Sequence, residues 1–107
     1  MRFFLSARVS SDRPDAVEPV LRRLIPEGTV RREGAEFMVD GSWEGTNSKD
    51  LNRDLLSELR RSEKRTRLRA EWTAPDGTTE RYFDYVRKQV LPPGSARSPV
   101  KGGPDRP

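Results

Sequence analysis

The segment Ala74-Pro75-Asp76-Gly77-Thr78 separates two stretches in which apolar and polar residues alternate. Leu68, Ala70 and Trp72 alternate with Arg67, Arg69, Glu71 and Thr73 before it, and Thr79 to Arg87 follows it. Proline presets φ, aspartate bonds its own backbone two residues on, and glycine accepts positive φ, so the chain must fold back here as an antiparallel hairpin. Two registers compete. In a three-residue loop with Gly77 left-handed, Trp72 faces Glu80 and Ala70 faces Tyr82. Tyr82 and Val86 then join the core face, while Phe83 and Tyr85 lie with Arg67, Arg69 and Arg87 on the open face. In a loop of two or four residues, Ala70 faces Phe83 and Leu68 faces Tyr85, and both aromatics are buried. A slip of one residue exchanges the faces of the whole strand. Turn chemistry favours the first register and hydrophobic economy the second.

The rest of the chain divides by period. Phe3, Leu5, Ala7 and Val9 alternate with Phe4, Ser6 and Arg8, which predicts a strand with one face on a core. Val17, Val20, Leu21, Leu24 and Ile25 follow helical spacing. Asp12 or Asp15 is the expected cap, and Pro19 requires a late start or a bend. Thr29 to Glu33 and Ala35 to Glu44 read as a hairpin turned at Gly34. Gly45 to Ser48 supplies a loop and cap for a second helix carrying Leu51, Leu55, Leu56 and Leu59 to about Lys64. The expected fold class is therefore α+β, in the order strand-helix-strand-strand-helix-strand-strand. Two helices cannot cover both faces of such a sheet, so both are placed on one face of an antiparallel-rich sheet. The first six elements have the ferredoxin-like order, with a C-terminal hairpin strand added.

With 107 residues, 32% of them hydrophobic, the chain has room for one small core. Residues 1–91 are expected to form a single α+β domain. Residues 92–107 contain five Pro and three Gly and almost nothing to bury, and are expected to be a disordered tail. The longest apolar run near the amino end is Phe3-Phe4-Leu5, far short of a signal sequence or a membrane span, so a soluble cytoplasmic protein is the default expectation.

His and Cys are both absent. That excludes a His general base, a thiolate nucleophile, a His/Cys zinc site and disulfides, and leaves carboxylates, Lys, Tyr or a hard metal as the only means of catalysis. Asp50 and Asp54 one helical turn apart, preceded by Asp40 and Glu44, could hold magnesium, but nothing convergent accompanies them. No catalytic residue, cofactor or metal site is assigned.

The net charge of +4 comes from 21 basic against 17 acidic residues, a mixed surface in which Arg outnumbers Lys 17 to 4. The basic residues cluster at Arg60, Arg61, Lys64, Arg65, Arg67 and Arg69. This run reads either as a phosphate-contacting ridge or as dipole complementation on a helix end followed by a solvated strand face. The segment Arg81 to Lys88 interleaves aromatic and basic residues, as a base-stacking sheet surface does. In the three-residue register Phe83, Tyr85 and Arg87 extend the ridge. The first functional expectation is a non-enzymatic binding module that takes RNA, single-stranded DNA or an acidic protein on the ridge and open face. The second is an assembly protein that forms a homodimer, or pairs with a partner protein, through an apolar-aromatic open face. A carboxylate-dependent enzyme is third. No membrane partner is expected.

Overall fold

Strand β1 (Arg2–Ser10) carries the amino-terminal alternation and lies inside the sheet, with a strand on each side. Its residues Phe3, Leu5, Ala7 and Val9 are buried, whereas Arg2, Phe4, Ser6 and Arg8 are exposed, so one face meets a core and the other meets solvent. The computed structural model describes residues 1–93. After β1 the chain forms α1 (Pro14–Leu24), β2 (Thr29–Glu33), β3 (Glu36–Glu44), α2 (Ser48–Ser62), β4 (Arg67–Thr73), β5 (Thr79–Phe83) and β6 (Val86–Leu91). The strands make one open sheet of six in the order β2-β3-β1-β4-β5-β6, with every neighbouring pair antiparallel.

A single cluster joins Val17, Val20 and Leu21 of α1 and Leu55, Leu56 and Leu59 of α2 to the inward residues of the sheet, among them Phe37, Leu68, Trp72 and Tyr82. Both helices therefore cover the same face, as the count of elements requires. Trp43 stacks on Trp72 with ring centroids 5.9 Å apart and extends the core toward one end of the sheet. Among the described residues no helix is long and apolar enough to cross a membrane.

The helix starts differ from one another. Asn47 caps α2, its side-chain oxygen accepting the Asp50 backbone N–H at 2.8 Å. Neither Asp12 nor Asp15 caps α1. That helix begins at Pro14 behind Arg13, with no side-chain capping bond, and runs through Pro19. Proline at position 19 removes the donor for the Asp15 carbonyl, and Asp15 is exposed, so water can take the vacant acceptor.

The hairpin of β4 and β5 has the three-residue register. Trp72 pairs with Glu80, Ala70 with Tyr82, and Gly77 takes φ 93°. Turn chemistry prevails here because the opposite face can still bury Trp72 and Tyr82. The expected single strand from Thr79 to Arg87 is corrected, since it is two strands. The chain turns at Asp84, a non-glycine residue with φ 55°, and returns as β6. Aspartate tolerates this conformation better than most residues. It is held there by its N–H donating to the Leu68 carbonyl at 2.7 Å and its carboxylate accepting the Leu68 N–H at 2.9 Å. The turn also overturns the expected burial of Val86, which is 55% exposed. The disordered tail expected at 92–107 falls, from residue 94 on, outside the described residues.

Candidate functional site

The registers of the five strand pairs line up side chains in rows across the open face. One row runs Arg31, Met38, Arg8, Arg69, Phe83, Val86, one residue from each strand. It holds three arginines and no acid. On one side lies the row Glu33, Glu36, Ser10, Arg67. On the other lies Thr29, Asp40, Ser6, Glu71, Arg81, Gln89. Each flanking row is about 7 Å from the first, the advance of two residues along a strand.

Most of the cations on this face have carboxylate partners. Arg31 pairs with Glu33 at 3.0 Å, Arg81 with Glu71 at 2.7 Å, and Arg67 with Asp84 at 3.2 Å. Arg8 reaches Glu36 only at 3.9 Å. Arg69 has no carboxylate partner among the described residues, and its guanidinium lies 5.2 Å from the centroid of the Phe83 ring. Arg8 and Arg69 are direct cross-strand partners. A concavity of about 390 Å³ opens beside them, with Met38, Phe83, Lys88 and Gln89 in its wall. A second, of about 240 Å³, shares Arg8, Arg69 and Phe83 and adds Arg67 and Asp84.

The structure divides the expected ridge. Arg67, Arg69 and Phe83 share the open face, and Phe83 is 47% exposed there. Arg60 is engaged on the helix side, where its Nε donates to the Thr66 carbonyl at 3.0 Å and its guanidinium sits 5.3 Å from the Tyr85 ring centroid. Arg61 pairs with Glu58 at 3.6 Å, Arg65 reaches Asp12 at 3.7 Å, and Lys64 is exposed between α2 and β4. Tyr85 and Arg87 require correction, because neither lies on the open face. The Tyr85 hydroxyl is 3.2 Å from Ser57 Oγ of α2, and Arg87, paired with the buried Tyr82, donates to Glu80 at 3.0 Å. The turn at Asp84 is the cause, since a continuous strand would have put residues 83, 85 and 87 on one side. The open face carries the exposed Phe4, Phe83 and Val86, interspersed with the ion pairs Arg31–Glu33, Arg81–Glu71 and Arg67–Asp84.

Sequence reasoning missed Arg8, Arg31, Met38 and Gln89 at this site, while Arg81 and Lys88 bound the segment it singled out. Arg8 carried a signal as an outward position on the first strand, but only the pairing of β1 with β4 places it against Arg69.

Sequence reasoning also missed a polar network under α2. The Ser48 hydroxyl bonds the Glu80 carboxylate and lies 2.9 Å from the Tyr82 hydroxyl. Burial holds the Tyr82 hydroxyl above its ordinary pKa, with the Ser48 hydrogen bond acting in the opposite direction. Asn52 accepts the Trp72 indole N–H at 3.1 Å and donates to the Asp84 carbonyl at 2.7 Å. These groups satisfy one another and brace the last hairpin against the helix. Arg53 bridges Asp50 and Asp54 at 3.2 and 3.3 Å. Among the described residues no cluster of three metal-ligating side chains is present.

No protein-family model, curated protein or solved structure matches the chain.

Proposed function

We propose that this chain is a small non-enzymatic binding module that holds a polyanion, nucleic acid foremost, on the open face of its sheet. The observation that carries the reading is the Arg8–Arg69 pair. Side chains directly opposite in an antiparallel pair stand about 5 Å apart at Cβ, and like charges there are destabilising. Glu36, at 3.9 Å from Arg8, offsets little of this repulsion, and Arg69 has no carboxylate among the described residues. A phosphate between the two guanidiniums would reverse the sign of the interaction, and arginine forks suit phosphate geometry. Phe83 lies beside this anion position and offers a ring for stacking.

In this reading the strand order β2-β3-β1-β4, together with two helices on one face, makes the first six elements a ferredoxin-like unit. Strands β5 and β6 then extend its sheet at the β4 edge and bring Phe83 next to Arg69. The rival reading, dimerisation through the open face, draws on Phe4, which is 57% exposed there. Phe83 and its cross-strand partner Val86 lie in a row separated from Phe4 by the Glu71–Arg81 ion pair, which interrupts the apolar surface that a dimer would bury.

Fluorescence anisotropy with labelled oligonucleotides near physiological salt tests the proposal. Binding tighter than that of a chain of equal net charge, falling as salt rises, is the expected result. No binding above that control, with light scattering showing a salt-resistant dimer, would transfer the open face to the assembly reading.

A further inference from the structure

The rows that flank the arginines bear on which nucleic acid can lie on the face. Glu33 and Glu36 stand in one flanking row, Asp40 and Glu71 in the other, and the row of Arg31, Arg8 and Arg69 between them is one residue wide. We infer that these carboxylates make the face selective for single-stranded nucleic acid running across the strands, from β2 toward β6, and turn duplex away. The inference rests on the nucleic-acid reading above and specifies the form of its ligand.

The row crosses six strands spaced about 4.8 Å apart, a track of about 24 Å in all, with its arginines on β2, β1 and β4 and Phe83 and Val86 beyond them. A flexible single strand can keep its phosphates on that track and away from carboxylates about 7 Å to either side. Duplex carries two phosphate backbones separated by grooves of roughly 6 and 12 Å. Both backbones wind, so phosphates of a docked duplex pass over one flanking row or the other, each of which carries two carboxylates against one arginine. Stacking adds a second discrimination. The Phe83 ring is 47% exposed on this face, and a base can lie on it only when unstacked from its neighbours, a freedom that single strands have and duplex lacks. The concavity beside it, bounded by Met38, Lys88 and Gln89, gives such a base somewhere to lie. At the far end of the track the exposed Arg31, though paired with Glu33 at 3.0 Å, offers a further cation to a passing phosphate.

The test uses the full chain and the variant Glu36→Gln/Glu71→Gln, which removes one carboxylate from each flanking row at exposed or half-exposed positions; circular dichroism checks that it folds. Anisotropy is measured with a labelled single-stranded RNA and DNA of about ten nucleotides and with the matching duplexes, near physiological salt. The expected result is single-strand binding at least about tenfold tighter than duplex, the equivalent of one stacked base. The variant should narrow that gap by strengthening duplex binding more than single-strand binding. Equal binding of duplex and single strand by the parent chain would overturn the selectivity while leaving the polyanion reading in place. A gap that the variant leaves unchanged would remove the carboxylates as its cause. Failure of every oligonucleotide to bind would overturn the nucleic-acid reading itself.

Discussion

The side chain of Asn52 on α2 donates to the backbone carbonyl of Asp84 at 2.7 Å, tying the second turn of the helix to the turn between β5 and β6. The same amide accepts the Trp72 indole N–H, so one buried residue joins the helix, β4 and the last hairpin. Asn52→Ala leaves both partners without a bond, and orphaning the buried Trp72 indole N–H costs about 1 to 3 kcal/mol, with the half-buried Asp84 carbonyl adding less. Urea denaturation followed by Trp fluorescence should show a loss of at least about 1 kcal/mol, with Asn52→Leu no better, since it also leaves both groups unpaired. A loss under about 0.5 kcal/mol would mean that the turn at Asp84 holds itself.

Leu55 tests the packing of α2 as a whole. It is fully buried in the cluster that also contains Leu59, Leu21 and Trp72. Leu55→Ala should cost about 2 to 5 kcal/mol, the range for a buried leucine whose surroundings relax only in part. In a domain this small that is a large share of the total stability, so the thermal midpoint should fall by roughly 10 °C or more.

Much of this core was legible because periodicity reports which face of an element is apolar. Val17, Val20, Leu21, Leu55, Leu59 and Trp72 were all marked as inward by spacing alone and are all buried. The Pro75-Asp76-Gly77 loop was legible too, because proline and glycine restrict φ locally. Asp84 was not. Nothing in Phe83-Asp84-Tyr85 announces a turn, and the positive φ at Asp84 is stabilised by Leu68, Asn52 and Arg67, groups distant in sequence. The consequence reaches the candidate site, where Phe83 stayed on the open face while Tyr85 and Arg87 crossed to the helix side. Arg8 was hidden for a related reason. An outward arginine on a strand is ordinary, and it becomes notable only when tertiary pairing sets it opposite Arg69.

The Tyr82 hydroxyl predicts a pH dependence. Burial raises its pKa in the folded chain above the value of about 10 that it has when unfolded. The folded state thus prefers the neutral phenol. This contribution to stability is fully present below pH 10 and is lost as pH rises through the folded value. Tyr82→Phe should be less stable than the parent at pH 7 by about 1 kcal/mol, through loss of the bond to Ser48. Between pH 9 and 11 the parent should lose stability more steeply than the variant, so that the two denaturation midpoints converge. Parallel curves over that interval would show that Tyr82 is not the group responsible.

The Arg8–Arg69 pair gives a prediction that links stability to binding. A double-mutant cycle of Arg8→Gln and Arg69→Gln should return a repulsive coupling of a few tenths of a kcal/mol in the free protein, reduced by added salt. Bound polyanion should abolish or invert that coupling, because the phosphate then mediates between the two guanidiniums. Each single substitution should also lower the slope of log affinity against log salt by about one counterion. Phe83→Ala should act differently, weakening single-strand binding by roughly 1 to 3 kcal/mol per stacked base with little change in slope. Arg61→Gln is the control, since Arg61 pairs with Glu58 on the helix side and should alter neither affinity nor slope appreciably. If Arg61→Gln reduces the slope as much as Arg69→Gln does, the ligand is held by diffuse positive charge and the open face has no special claim to it. An attractive Arg8–Arg69 coupling in the free protein would remove the strain on which the reading of this face depends.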